Sequence, residues 1–179
     1  VNELADMIIK ELTEGIDGTD IRAGIIGEIA TESQHYISPA EERVFRAACR
    51  AHKQTGAAIT THALFGKVGI AQVELLKDEG IDLSRVIIGH MDTCMDMEYH
   101  LKIAESGAYL QYDTCGRWDI YPDEMRVKYL KELVSKGYLE RILISCDVFR
   151  RSHLHAFRGQ GYDYILTHFI PMLKKAGFT

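Results

Sequence analysis

The sequence predicts an α/β fold in which short parallel strands alternate with helices, as an open doubly wound sheet or as part of a (β/α)8 barrel. Three observations carry that reading. AGIIGEIA, AAITTH, RVIIGH and RILISCD are short, β-branched runs suited to strands buried in a parallel sheet. The stretches between them are amphipathic at the 3.6-residue helical period and carry helix caps. Each run also brings a metal-ligand side chain, Glu28, His62, His90 or Asp147, to the carboxyl end of its strand, where barrel enzymes hold their chemistry.

VNELADMIIKELTEGI sets Leu4, Met7, Ile8, Glu11 and Leu12 at helical spacing, so the chain opens inside an amphipathic helix. Ile21 to Ala30 reads as the first strand. Ser38-Pro39-Ala40-Glu41 then supplies an N-cap, a proline at the first helical position and a capping-box glutamate, for a helix running to Thr55 and closed by Gly56. Ala57 to His62 is the second strand, and Gly69 to Glu79 the next helix, stopped by Gly80. Arg85 to His90 is the third strand, followed by a helix from Met95 to Ser106 with Gly107 behind it. Ala108 to Asp113 is the fourth strand, Pro122 starts a helix that ends at Gly137, and Arg141 to Asp147 is the fifth strand. The last helix covers Tyr162 to Lys175, with a kink or break expected at Pro171.

Five βα units with no GxGxxG loop after any strand favour the barrel over the open sheet. A complete barrel takes about 250 residues, so a chain of 179 falls about three strands short. Those strands are expected before Val1 in a longer polypeptide, or supplied from elsewhere, so that no sheet edge is left open. Hydrophobic residues make up 46% of the chain, enough for a core, and the formal net charge of −5 is spread over interspersed acids and bases. That pattern excludes the basic footprint of a nucleic-acid binder and any attraction to acidic membrane surfaces. Cys49, Cys94, Cys115 and Cys146 form no CxxC pair, which fits reduced thiols in a cytoplasmic protein rather than a disulfide framework or a zinc knuckle.

Zinc takes imidazole nitrogen and carboxylate oxygen, and two metals about 3.5 to 4 Å apart can share a bridging carboxylate. Glu28, His62, His90 and Asp147 are those ligand types, spaced by one, one and two βα repeats, so their side chains converge at one end of a barrel. Singly, each has a structural alternative: a histidine ending a strand is often a hydrogen-bonded core residue, and an acid there often caps the next helix. Four in register favour the metal site. His35, His52, His100 and His168 lack that context and read as surface or hydrogen-bonded side chains.

At these residues the chain resembles the phosphotriesterase-like branch of the amidohydrolase superfamily, closest to its phosphotriesterase homology group. AGIIGEI, ITTHA, LSRVIIGHMD, GAYLQYDT, YPDEMR, ILISCDVFRRSHL and GYDYILTHFIP resemble family blocks, in the family's order, over essentially the whole chain. The resemblance implies a (β/α)8 TIM barrel, of which residues 1–179 form one partial metal-dependent hydrolase domain holding strands four to eight. It implies two divalent metal ions, zinc foremost, with manganese or another transition metal as the alternative. By the same resemblance Glu28 takes the bridging position on strand four, where the phosphotriesterases proper carry a carboxylated lysine. His62 and His90 are the ligands of the more exposed metal. Asp147 is the strand-eight ligand of the more buried metal and the catalytic residue that accepts a proton from the bridging hydroxide.

The family's remaining ligands, an HxH pair on strand one, have no counterpart in these residues, so weak occupancy of the buried position is expected. Thr114 stands where phosphotriesterases place a proton-relay histidine, which turns the expectation from organophosphates toward another ester, a lactone or an amide. Arg117 and Arg151 are substrate-binding candidates for an anionic group, the alternative being that such arginines pair with Asp119, Asp123 and Asp163. Two function classes follow: a binuclear metallohydrolase acting on a small molecule, and a noncatalytic or truncated barrel that keeps an incomplete metal site. Homo-oligomerisation is open on either reading.

Overall fold

Five parallel strands and six α-helices make up the computed structural model, which describes Val1–Thr179. The strands are β1 (Ile26–Ala30), β2 (Ile59–His62), β3 (Val86–Gly89), β4 (Tyr109–Tyr112) and β5 (Ile142–Ile144). The helices are α1 (Asn2–Thr13), α2 (Pro39–Thr55), α3 (Gly69–Asp78), α4 (Met97–Glu105), α5 (Asp123–Ser135) and α6 (Ile170–Lys175). The strands pair in chain order, β1-β2-β3-β4-β5. A doubly wound sheet reverses its order at a switch point. This one does not, so the architecture is that of a partial barrel.

Side-chain alternation assigns the two faces. Ile59, Val86, Ile88, Leu110 and Tyr112 are fully buried and join Phe45, Leu76, Ile103 and Leu130 of the helices in one apolar cluster. Thr60, Ile87, Gln111 and Leu143 alternate with them and stay partly exposed. Strands buried on both faces were expected. Five strands do not close a barrel, so the face that eight would enclose is left partly open.

Helix α2 starts as its sequence dictates. The Ser38 amide donates to Glu41 Oε2 at 2.7 Å, Ser38 Oγ accepts from the Glu41 amide, and Gly56 ends the helix in the left-handed conformation. Other boundaries differ from the expectation. The first strand begins at Ile26 rather than Ile21, because the Ala23 amide donates to Glu11 at the end of α1 instead of to a neighbouring strand. The fifth strand stops at Ile144, and Asp147 lies beyond it with a left-handed φ of 47°. The last helix is irregular ahead of Pro171 rather than broken there. Ile165–Phe169 closes into a π turn before α6, as a residue without an amide N–H demands. Of the two roles expected for His100, surface or hydrogen-bonded, the buried α4 residue has the second: its Nε2 donates to the Met91 and Cys94 carbonyls at 2.9 and 2.8 Å, and its Nδ1 accepts from Tyr112 Oη at 2.6 Å. No helix is long and apolar enough to cross a membrane.

Candidate metal centre

Parallel register brings three of the predicted ligands side by side. Ala30 pairs with His62 and His62 with Gly89, so Glu28 on β1, His62 ending β2 and His90 following β3 share one end of the sheet. Gly89 is required there. A Cβ on it would meet the Thr61 carbonyl oxygen at 2.3 Å and approach Glu28 Oε1 at 3.4 Å. His90 itself takes the left-handed region, φ 56°, a conformation uncommon for a residue with a side chain and concentrated at functional sites.

The donor atoms of Glu28, His62 and His90 all lie within 4.8 Å of one another. His62 Nδ1 stands 3.1 Å from Glu28 Oε2 and 2.8 Å from His90 Nε2, and His90 Nε2 stands 3.3 Å from Glu28 Oε1. The two rings meet edge to face. Behind His90 sits a residue that the sequence reading passed over. Buried Asp113 accepts the His90 Nδ1–H at 2.7 Å through one carboxylate oxygen and the His90 amide at 3.0 Å through the other. That contact fixes Nδ1 as the donor and leaves Nε2 directed at the cluster, the partnering that metal-bound histidines show.

Electrostatics agree with the geometry. Burial disfavours the His90 imidazolium, but Asp113 and Glu28 outweigh it and raise the pKa to about 10. Burial also raises the Glu28 carboxyl, yet hydrogen bonds and charge from His62 and His90 bring it down to about 2. His90 Nε2 faces both His62 Nδ1 and Glu28 Oε1, so three groups that all bind cations meet at one point. Two imidazoles and a carboxylate converging in this way fit zinc or a neighbouring divalent metal. A metal ion would compete with protons for these atoms.

Asp147 is not among the three. It lines the same cavity of about 600 Å³ as Glu28, His90, Gln111, Asp113 and Tyr162, and burial raises its carboxyl. Its nearest cation is Arg117, with Nη1 3.6 Å from Oδ2. Arg117 also donates from Nε and Nη2 to Asp119, each at 3.0 Å. Arg151 stands apart, exposed, with its guanidinium 5.0 Å from the Phe157 ring centroid. Thr114 is turned into the protein, where its hydroxyl donates to Asp92 and accepts from Arg126, both at 2.7 Å. Asp113 had a signal of its own in the sequence: it follows the apolar run of β4 as His90 follows β3.

The Phosphotriesterase family model matches residues 1–179. The phosphotriesterase homology protein of Escherichia coli K12 is 49% identical over 179 residues, which are 100% of this chain and 61% of that protein. An N-acetyltaurine hydrolase of Dictyostelium discoideum is 36% identical, covering 99% of this chain and 50% of that protein. Among solved structures, that of the E. coli protein with phosphate in its active site superposes with a TM-score of 0.96 at 49% identity, covering 99% of this chain and 61% of that one. A lactonase from Listeria monocytogenes superposes with a TM-score of 0.93 at 33% identity, covering 99% and 55%. The chain thus spans between half and three fifths of its relatives' length. The parallel sheet in chain order, the Glu28–His62–His90 cluster at its carboxyl end and the match over every residue lead to one assignment: this chain belongs to the phosphotriesterase family.

Proposed function

We propose that the chain carries the carboxyl-terminal ligand set of a metal-dependent hydrolase. The observation that carries this reading is the convergence of Glu28, His62 and His90 within 4.8 Å, with Asp113 orienting His90 from behind. Two divalent cations, zinc or manganese, would supply hydroxide at neutral pH and polarise a carbonyl or phosphoryl oxygen. Glu28 would bridge them, His62 and His90 would hold the exposed one, and Asp147 would ligate the other and take up the proton released in the reaction. The substrate is a small ester, lactone, amide or phosphoester. The relatives named as N-acetyltaurine hydrolases and as a lactonase favour an amide or a lactone. Arg151, exposed beside Phe157, and Arg117, beside Asp147, are the cations available to an anionic end of such a molecule.

A second reading is metal binding without turnover. It is favoured by Asp147, which faces Arg117 and not the three-donor cluster. The test is metal analysis joined to a substrate screen over N-acyl amino compounds, lactones, carboxyl esters and phosphate esters. Hydrolysis that disappears on chelation, returns with zinc or manganese and is lost in Asp147→Asn establishes the enzyme. Metal bound through His62 with no turnover of any class establishes the second reading. No metal bound through His62 sinks both.

A further inference from the structure

Arg117 is held at three points. Its Nε and Nη2 donate to Asp119, its amide donates to the Thr114 carbonyl at 2.9 Å, and its own carbonyl accepts from Arg126 Nη2 at 3.5 Å. Nε and Nη2 are therefore occupied, and Nη1 is the group that Asp119 leaves free. It faces Asp147 Oδ2 across 3.6 Å, with the two side chains 12% and 27% exposed. Asp147 is constrained from its own side. Its backbone is left-handed, and buried His153 donates from Nδ1 to its carbonyl at 3.2 Å.

We propose that Arg117 is a positioning residue for Asp147: it holds the carboxylate beside the Glu28–His62–His90 cluster rather than in it, so that a cation and Arg117 compete for Asp147. Asp119 sets how strongly Arg117 competes, because a guanidinium already paired on one edge presents less unbalanced charge on the other. The inference rests on the metal-centre reading, and it assigns Arg117 and Asp119 a task that a purely structural ion pair would not have.

The test is a cobalt(II) titration of the purified chain, followed by the visible absorption that histidine and carboxylate ligation produces. Arg117→Gln is expected to tighten cobalt binding by about twofold to fivefold, the range of one partly exposed ion pair. Asp119→Asn is expected to weaken it by a similar factor, and Arg117→Lys to stay near the wild type. Both shifts vanish in an Asp147→Asn background. Arg158→Gln supplies the control, since that arginine is exposed on the same loop and makes no ion pair with Asp147. An Arg117→Gln effect that persists without Asp147, or that Arg158→Gln reproduces, would reduce the role to net charge and overturn the proposal. So would a silent Arg117→Gln. Should Arg117→Gln fail to fold, Asp119→Asn with and without Asp147 decides the matter alone. Cobalt binding indifferent to His62→Ala removes the metal centre itself, a failure distinct from the others.

Discussion

Two charge clusters stand at the carboxyl end of the sheet, and they are built on opposite rules. Around Arg126 every valence is met inside the protein. Nε donates to Asp92 at 2.6 Å, Nη1 to Asp123 at 3.0 Å and to the Tyr121 carbonyl, and Nη2 to Thr114 Oγ1 at 2.7 Å and the Arg117 carbonyl at 3.5 Å. Asp123 also accepts from Tyr164 Oη at 2.7 Å, and Asp92 from the amides of Asp113 and Thr114, each at 3.1 Å. Arg126 and Asp92 are 0% exposed and Asp123 is 1% exposed, so this cluster is closed. At Glu28, His62 and His90, three cation-binding groups face one another within 4.8 Å, and Glu28 and His90 open into a cavity. The contrast teaches which buried charge is scaffold and which is site. The two meet at one bond, from the Asp113 amide to Asp92, through which the closed cluster fixes the residue that orients His90.

Removing Arg126 is the most severe way to break the contrast. Arg126→Met leaves two buried carboxylates without their cation, a change that costs about 3–5 kcal/mol when a buried pair is opened. Urea or guanidinium unfolding reads it as a lowered midpoint. Glu28→Gln, in the open cluster, is expected to cost less than about 1 kcal/mol in the absence of metal, because its carboxylate is 45% exposed and paired at the cavity edge. Equal losses from the two substitutions would erase the distinction drawn between them.

Metal narrows the gap. At a zinc concentration about a hundredfold above Kd, a native-state ligand stabilises by about 2.7 kcal/mol. The wild type should show that gain as a raised thermal midpoint, and His62→Ala should not, while both unfold alike with a chelator present. Asp113→Asn keeps the volume but no longer accepts through both oxygens, so His90 loses its fixed ring orientation. Losses of about 10- to 100-fold in metal affinity accompany the removal of such partners, and competition with a coloured chelator measures them. Undiminished affinity in Asp113→Asn would mean that Asp113 serves the fold alone.

The open cluster was the more legible of the two in the sequence, for a physical reason. A strand of period two that ends on a histidine or carboxylate announces both its direction and its polar tip, as at His62 and His90. Helix caps were equally plain at Ser38 and Gly56. Arg126, by contrast, sits on α5 amid acids and lysines, where nothing local separates a solvated arginine from a buried one. Its burial is decided by Asp92 and Thr114, distant in the chain. Asp147 was legible as a ligand type, but its pairing with Arg117 depends on a left-handed turn that strand periodicity does not reveal. The strand ends suffered likewise, since residues 21–25 answer to α1 through the Ala23–Glu11 bond and not to the sheet.

The smallest effect belongs to a second histidine–aspartate pair, the exposed counterpart of His90–Asp113. His155 Nε2 lies 2.5 Å from Asp163 Oδ1, with the side chains 62% and 52% exposed. The hydrogen bond to Asp163 raises the His155 pKa above its usual 6.5, and the same bond lowers that of Asp163 below 3.8. A raised histidine contributes stability below its unfolded pKa and loses it as pH climbs through the folded value. A lowered aspartate contributes above its unfolded pKa and loses it as pH falls through the folded value. The pair is therefore at full strength between about pH 4 and 6.5 and fades on both sides. Because water surrounds both groups, His155→Ala should move the thermal midpoint only slightly at pH 5.5, less at pH 9, and not at all in about 1 M salt, where the screening length is about 3 Å. The His90–Asp113 contact, buried and doubly hydrogen-bonded, should keep its effect on metal affinity in the same salt. Salt sensitivity at Asp113 matching that at His155 would show that burial does not separate the site from the surface.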